Sequence, residues 1–249
     1  MKINVLGCLG GYPHKDQGTT SFLLQAGRYN LLLDCGSGAV TQLEHFVSPL
    51  CIDAVLLSHY HHDHIADLGV LQYYRQLWPK DDPEWDSMVL PIYGHDEDEF
   101  HYNDLELKDV STKNAYTTSE VLTLGPFDVT FMKTVHPVPC YAMRFLVRKS
   151  GKVFVFTGDS GYTDSFIEFA KDADVFMADT YLFEGQENHH AHFTSKESGE
   201  IAKKANVKKL ILTHLPQHGD LDELFIQAKK AAGENVEVIL ARQGETYEM

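Results

Sequence analysis

The sequence predicts a layered α/β domain in which helices cover the outer faces of β-sheets. Two observations predict this class. Short apolar segments rich in strand-forming residues recur along the chain, and most of those after residue 53 are followed by a stretch with helical periodicity. The chain has 249 residues, of which 43% are hydrophobic, so it is long enough to bury one sizeable core. We therefore expect a single domain over residues 1–249.

The first elements are expected to be antiparallel strands. Residues 2–8 and 21–35 are rich in strand formers, and the second segment is interrupted at residues 27–30 as a hairpin would be. From Asp53 onward the pattern changes to a strand at 54–58 followed by a helix at 65–77.

The later elements continue this alternation. Strands are predicted at 129–135, 141–147, 153–157 and 210–213, with helical stretches at 166–170 and 221–232. Thr194-Ser195-Lys196-Glu197 has the form of a capping box and predicts another helix start. Asp220 is placed to cap the last helix.

The charge of the chain limits its partners. It carries 36 acidic and 21 basic residues, a formal net charge of −15. A protein that binds long nucleic acid needs a basic surface to neutralise phosphates, so such a partner is not expected. The segment from Pro79 to Glu120 holds twelve acidic residues against three lysines, which predicts a solvated, insertion-like segment.

Other features predict a cytoplasmic protein. The amino-terminal residues form a strand pattern without the basic and apolar regions of a signal peptide. The four cysteines lack the Cys-x-x-Cys spacing of a metal or redox motif, and they are expected to be reduced. No apolar run approaches the roughly 20 residues that span a bilayer, so no membrane partner is expected.

Four predicted strands end in imidazole or carboxylate side chains. The strand at 54–58 leads into His-Tyr-His-His-Asp-His at residues 59–64, and three later strands lead to His136, Asp159 and His214. Because ligands of α/β sheets gather at the carboxyl ends of strands, these side chains are expected to lie close together.

The spacing within residues 59–64 is typical of metal ligands. His59 and His61 alternate in an extended segment, so their imidazoles point to one side and can hold one cation. Asp63 and His64, where the chain turns into a helix, would face a second cation. A divalent ion needs three or four donors, and the remaining candidates are His136, Asp159 and His214.

With these residues the sequence resembles the metallo-β-lactamase superfamily, whose motifs run Asp, His-x-His-x-Asp-His, His, Asp, His. The resemblance covers nearly the whole chain and implies a four-layer αββα sandwich of two mixed sheets with two zinc ions. It implies one zinc bound by His59, His61 and His136. The other zinc would be bound by Asp63, His64 and His214. Asp159 would bridge the two ions, and Asp34 would fix a ligand or a nearby loop without binding metal.

Within the superfamily the match is similar to the ribonuclease Z-like phosphodiesterase branch. It rests on residues 58–68, 157–160, 178–181 and 192–194 and on the stretch that leads to His214. In that branch a histidine lies near the scissile phosphate, and His192 is the matching position. The acidic residue that orients it matches Asp179, where the family more often has glutamate. His189 and His190, just before it, are expected to be solvated loop residues.

The resemblance also implies a mechanism. A hydroxide shared by the metal ions would attack the phosphorus, Asp63 would orient it, and His192 would protonate the leaving alkoxide. Ribonuclease Z proper has a long arm that grips tRNA, for which 249 residues leave little room. We therefore expect a small phosphodiester or cyclic nucleotide as substrate. The branch is commonly dimeric, so a homodimer is expected.

Several alternatives stay open. A carbonyl-acting hydrolase, such as a lactonase or thioesterase, would use the same site chemistry, and a tRNA 3′-processing endonuclease belongs to the same branch. Manganese or another divalent transition metal could replace zinc. A di-iron redox protein is disfavoured because such relatives have glutamate at the position of His61. A non-catalytic metal-binding module is the remaining possibility.

Overall fold

The computed structural model describes residues 1–85 and 88–249, which form two compact units. Unit 1 comprises residues 1–117 and 243–248, and unit 2 comprises residues 118–242 together with residue 249. Each unit contains a mixed seven-stranded sheet with helices. The expectation of a single domain over residues 1–249 stays a prediction.

The sheet of unit 1 combines strands from both ends of the chain. Its strands are β1 (Lys2–Gly7), β2 (Ser21–Ala26), β3 (Tyr29–Leu33), β4 (Ala54–Leu56), β5 (Leu90–Gly94), β6 (Ser111–Ala115) and β14 (Thr246–Glu248). Their order is β14-β1-β2-β3-β4-β5-β6. The pairs from β14 to β3 are antiparallel, and those from β3 to β6 are parallel.

Short helices connect the strands of unit 1. They are α1 (Ala39–Leu43), a 3-10 helix (Pro49–Cys51), α2 (His62–Ile65), α3 (Leu68–Leu77) and α4 (Glu99–Asp104). The parallel pairing of β3 with β4 sets Leu33 opposite Leu56. The residues that follow these two strands, Asp34 and the motif at 59–64, are therefore neighbours at one sheet edge.

Unit 2 has the same division into antiparallel and parallel strands. Its strands are β7 (Leu122–Leu124), β8 (Phe127–Lys133), β9 (Tyr141–Val147), β10 (Lys152–Phe156), β11 (Val175–Asp179), β12 (Lys209–Thr213) and β13 (Glu237–Leu240). Their order is β13-β12-β11-β10-β9-β8-β7, parallel from β13 to β10 and antiparallel from β10 to β7. The helices are α5 (Ser165–Phe169), α6 (Ser195–Lys204) and α7 (Leu221–Ala232).

The two predicted helix caps of unit 2 are confirmed. The hydroxyl of Thr194 accepts the backbone N–H of Glu197, whose carboxylate accepts the backbone N–H of Thr194. The carboxylate of Asp220 accepts two N–H groups in the first turn of α7. Each cap pairs donors that a helix start leaves unsatisfied, and so fixes where the helix begins.

Phenylalanines form much of the core of unit 2. Phe145 stacks on Phe154 with ring centroids 5.4 Å apart. Phe193 is completely buried and lies edge-on against Phe166 at 5.1 Å. Because Phe193 directly follows His192, this packing anchors the end of the loop that carries His192.

The predicted helix at 65–77 is wrong at its start. The chain forms two helices there, α2 and α3, with Ala66 and Asp67 between them. The backbone N–H of Asp67 donates to the carbonyl of Cys35, and its carboxylate accepts the N–H of Val40. Asp67 is thus bonded to the chain that follows β3, which interrupts the helical ladder.

The acidic segment at 79–120 contributes two strands, β5 and β6, and the helix α4. It is thus part of the sheet of unit 1, not only a solvated insertion. The sequence pattern concealed these strands, because β5 contains Pro91 and the edge strand β6 reads Ser-Thr-Lys-Asn-Ala, which has no apolar alternation.

Among the described residues, no helix has both the length and the apolar character that crossing a membrane requires.

Candidate metal centre

The predicted motif after β4 forms a group of side chains that we call the motif cluster: His59, His61, Asp63 and His64. His59 and His64 are completely buried, and Asp63 is 9% exposed. His59 Nε2 lies 3.1 Å from His61 Nδ1, and Asp63 Oδ2 lies 3.5 Å from His64 Nε2. The structure thus brings together both pairs that the sequence predicts within this motif.

Asp34 is hydrogen-bonded to His64 of the motif cluster and to Ser58, which directly precedes the cluster. One carboxylate oxygen accepts the backbone N–H of Ser58 at 2.7 Å, and the other accepts the Ser58 hydroxyl and His64 Nδ1, each at 2.8 Å. Asp34 is completely buried and adopts a left-handed conformation with φ of 54°. The predicted contact between Asp34 and a candidate ligand is confirmed, and it leaves His64 Nε2 as the atom for a metal ion.

A second group, which we call the strand-end cluster, lies in unit 2: His136, Asp159, Asp179, His192 and His214. Asp159 and His214 are 2% and 3% exposed, and Asp159 Oδ2 lies 3.3 Å from His214 Nε2. His214 is left-handed, with φ of 52°. A non-glycine residue held in that region costs free energy, and such residues concentrate at functional sites.

Asp179 links two histidines of the strand-end cluster. The register of β11 and β12 sets Asp179 opposite Thr213, one residue before His214. Its Oδ2 lies 2.9 Å from His192 Nδ1, and its Oδ1 lies 3.4 Å from His214 Nδ1. The sequence predicts the first of these contacts but not the second, which depends on the register of two parallel strands.

The environment of His192 favours its protonated form. Burial alone would lower the pKa of His192, but the negative charge of Asp179 and its hydrogen bond outweigh burial. The pKa of His192 is therefore raised above its ordinary value. A raised pKa lets an imidazole keep its proton to a higher pH, which suits the role of a proton donor.

His136 follows β8 and is half-buried. Its Nδ1 lies 3.2 Å from the carbonyl oxygen of Ala191, and its ring meets that of His192 edge-on at 5.7 Å. A hydrogen bond from Nδ1 to a carbonyl oxygen leaves Nε2 as the ligand atom, as in many metal-binding histidines.

His189 contacts His192, and the sequence did not predict this contact. Its ring stacks on His192 at 5.6 Å with 14° between the planes, and His192 stacks in turn on His214 at 5.1 Å. Tyr181 lies 5.1 Å from the ring of His192. His189 is only partly buried and His190 is exposed, as expected of loop residues, but no sequence pattern predicts the stacking of His189 on His192.

The spacing of the donor atoms fits a bound divalent ion. Two ligands at roughly 2.0–2.1 Å from a tetrahedral ion lie about 3.4 Å apart. The pairs His59–His61, Asp63–His64 and Asp159–His214 have separations of 3.1, 3.5 and 3.3 Å. Imidazole and carboxylate donors suit zinc and other divalent transition metals. The assignment of all seven predicted ligands to two ions stays a prediction.

Known proteins resemble this chain over its whole length. The profile of the family described as "Beta-lactamase superfamily domain" matches residues 29–215. The probable metallo-hydrolase YhfI of Bacillus subtilis is 44% identical over 249 residues, which cover 100% of both chains. A crystal structure of that metallo-beta-lactamase fold protein has a TM-score of 0.92 at 42% identity and covers 99% of each chain.

More distant relatives extend the comparison. The ribonuclease Z of Archaeoglobus fulgidus is 25% identical over 293 residues, covering 92% of this chain and 92% of that protein. A crystal structure of a diphosphatase from the PhnP family has a TM-score of 0.74 at 19% identity and covers 100% of this chain and 97% of the other. At that identity the likeness shows the fold alone.

These similarities confirm the predicted fold, with its two mixed seven-stranded sheets. This protein is therefore a metallo-hydrolase that belongs to the metallo-β-lactamase superfamily, and its likeness to a ribonuclease Z supports the predicted branch.

Proposed function

We propose that the protein is a phosphodiesterase that hydrolyses a small phosphodiester or a cyclic nucleotide. The observation that carries this proposal is the pair formed by Asp179 and His192, with 2.9 Å between Oδ2 and Nδ1. Asp179 is completely buried, and its carboxylate fixes the Nδ1 side of the His192 imidazole. The side chain of His192 is partly exposed, so the opposite side of the ring is accessible to a substrate.

An imidazole that can donate a proton matters most for a strongly basic leaving group. An alkoxide that leaves a phosphodiester must gain a proton, and a general acid contributes typically 10²–10⁴-fold to such a step. A thiolate leaves without that help, because thiols have a pKa of about 8.5. The pair therefore favours a phosphodiester over a thioester as substrate.

The metal ions belong to the same proposal. We infer that the seven predicted residues bind two divalent ions, with zinc as the native metal and manganese as the first alternative: His59, His61, Asp63, His64, His136, Asp159 and His214. When bound, such ions would lower the pKa of a water molecule at the site and neutralise charge on phosphoryl oxygens. The carboxylate of Asp63 would orient the attacking water by accepting its hydrogen bond.

The charge of the chain supports a small substrate. The formal net charge of −15 repels long polyanions, and the twelve acidic residues of the segment at 79–120 add to that repulsion. The similarity to a ribonuclease Z supports a phosphodiester bond as the target, whereas the acidic surface argues against tRNA as the partner. A homodimer and a cytoplasmic location complete the proposal and rest on the resemblance and on the sequence.

A panel of substrates tests the proposal. Zinc-loaded and manganese-loaded protein would be assayed on bis-p-nitrophenyl phosphate, a 2′,3′-cyclic and a 3′,5′-cyclic nucleotide, a precursor tRNA, a thioester and a lactone. We expect turnover of the small diesters and no cleavage of the precursor tRNA, and we expect His64→Ala to abolish turnover. Turnover of the thioester or the lactone with silent diesters would overturn the proposal in favour of a carbonyl hydrolase.

A further inference from the structure

The loop between β1 and β2 is fastened at its base and lies against the motif cluster. The backbone N–H of Leu9 donates to the carbonyl of Gly18 at 3.2 Å. The side chain of Gln243 accepts the N–H of Gly18 at 2.6 Å and donates to the carbonyl of Asp16 at 3.0 Å. These bonds hold the ends of the loop and leave its first turn, at Gly11, facing Asp63.

Gly11 touches a predicted metal ligand through its backbone. Its N–H donates to Oδ2 of Asp63 at 2.6 Å. This is the same oxygen that lies 3.5 Å from His64 Nε2. A carboxylate oxygen has two acceptor sites, so one can take the N–H of Gly11 while the other stays directed to the side of His64.

The side chain of Asp63 needs support from outside its own helix. Helix α2 has four residues, and its N-cap, His61, makes no side-chain capping bond. The backbone of Asp63 is fixed, because Gly36 packs so closely on its carbonyl oxygen that a Cβ on Gly36 would clash with it. The last torsion of a carboxylate is broad and weakly restricted, so the N–H of Gly11 fixes an orientation of Oδ2 that backbone packing does not set.

The direction of the Gly11 N–H depends on an unusual turn. Gly11 has φ of +73°, and the N–H of Tyr12 donates to the carbonyl of Gly10 at 2.8 Å. Residues with a Cβ adopt this region rarely, and asparagine does so more readily than alanine. No atom lies within 4 Å of the place where a Cβ on Gly11 would stand, so a substitution there changes the backbone preference without a clash.

We propose that Gly11 is a positioning residue for Asp63: its left-handed turn aims a backbone N–H at the carboxylate and holds it in the orientation that binds metal. The loop between β1 and β2 thereby sets how tightly the ion at Asp63 and His64 is retained. This inference rests on the ligand role that we propose for Asp63.

Two substitutions at Gly11 and two matched controls test the inference. Gly27 has φ of +65° in the turn between β2 and β3 and equally open space, and it lies at the opposite end of β3 from Asp34. Metal-free protein would be titrated with zinc against a chromophoric chelator, and with cobalt to record the absorption spectrum of the bound ion. We expect Gly11→Ala to weaken the affinity of one ion about tenfold and to change the cobalt spectrum.

The order of the variants separates positioning from general destabilisation. Gly11→Asn should lie between the wild-type protein and Gly11→Ala, because asparagine accepts the left-handed region better. Gly27→Ala and Gly27→Asn should leave zinc affinity unchanged. Equal zinc affinity for Gly11→Ala and wild-type protein would overturn the inference, as would an equal loss in Gly27→Ala. If Gly11→Ala fails to fold, Gly11→Asn set against Gly27→Asn decides the question by the same measurement.

Asp63→Asn distinguishes this inference from the function on which it rests. If Asp63→Asn leaves both ions bound at wild-type affinity, the ligand role of Asp63 fails and the inference fails with it. If Asp63→Asn loses one ion while Gly11→Ala keeps both, the proposed metal site stands and only the role of Gly11 is refuted.

Discussion

Two buried carboxylates have the same task in the two units. Asp34 and Asp179 are both completely buried, and each lies within 2.8 or 2.9 Å of the Nδ1 of a histidine. A carboxylate in this position fixes the tautomer and the ring orientation of its histidine. The orientation of His64 and of His192 therefore depends on these two carboxylates.

Replacing Asp34 by asparagine is expected to weaken metal binding about 10- to 100-fold. Asparagine has one acceptor oxygen, whereas Asp34 accepts three hydrogen bonds from Ser58 and His64. The measurement is zinc affinity by competition with a chelator. Asp53→Asn is the matched control, because Asp53 accepts a backbone N–H of Asn30 in the same unit. Indistinguishable affinities for the two variants would refute the role of Asp34.

His192→Ala is expected to keep its metal and to lose turnover of the better cyclic nucleotide, whose leaving group is a sugar alkoxide, by about 10²–10⁴-fold. The reason is that the leaving alkoxide would no longer receive a proton. Metal content by mass spectrometry and kcat are the two readouts. The control is His190→Ala, an exposed residue of the same loop that should keep wild-type kcat. Full turnover by His192→Ala with its metal in place would refute the assignment.

At the scale of residues, the sequence predicted the candidate ligands that are marked by their spacing or by their position after a strand. In residues 59–64, two histidines alternate with other residues and a helix begins directly after them. That pattern can be recognised in the sequence alone. The bond from Gly11 to Asp63 and the stacking of His189 on His192 were not predictable. Both depend on how irregular loops fold back, and loop backbones have no periodicity from which to predict them.

At the scale of elements, the start of α6 controls the loop before it. The capping box at Thr194 lies two residues after His192. The backbone N–H of Leu182 donates to the carbonyl of Phe193, and the carbonyl of Leu182 accepts the N–H of Ser195. The loop that carries His192 is thus fastened at its end by a helix cap and by a short parallel bridge. Loss of the cap should therefore lower the free energy of unfolding and also displace His192.

Thr194→Ala is expected to lower the free energy of unfolding by about 1 kcal/mol. The substitution leaves the N–H of Glu197 without its side-chain acceptor. Urea denaturation followed by circular dichroism measures the change. Thr41→Ala, at an exposed position of α1, serves as the control and should stay within about 0.5 kcal/mol of wild type. A loss of equal size in both variants would contradict the cap argument.

Two elements with a clear pattern were predicted to the residue, whereas three strands at sheet edges were not predicted. Helix α7 and strand β9 have the predicted bounds, because a clear apolar pattern and a cap or turn define each end. Strands β6, β7 and β14 are edge or near-edge segments of three to five residues. Their pairing comes from neighbouring strands, which a local pattern does not contain.

At the scale of the whole molecule, bound cations would offset a large negative charge. The formal net charge is −15, and two of the predicted ligands, Asp63 and Asp159, are nearly completely buried carboxylates. Any ion that binds the folded chain and not the unfolded chain stabilises the fold by mass action. The fold family was predictable from residues spread over nearly the whole chain, whereas the substrate was not, because one superfamily fold serves many reactions.

Removing the metal is expected to lower the thermal midpoint by about 5–10 °C. This follows from a loss of about 2.7 kcal/mol for an ion present at a hundredfold excess over its Kd, in a chain of this size. Differential scanning fluorimetry with a chelator, and then with zinc or manganese restored, measures the shift. His64→Ala should show a smaller chelator-dependent shift. An equal Tm with and without chelator in wild-type protein would contradict the prediction.

Strand β14 pairs with β1, and Gln243 fastens the loop that carries Gly11, so unit 1 is completed by residues 243–248. A ribosome adds those residues only after all of unit 2, roughly 6–25 s after it passes residue 117. Throughout that interval the outer edge of β1 stays open to other nascent strands. A polypeptide released before residue 243 would therefore contain every predicted metal ligand and still lack the fastening of the turn that orients Asp63.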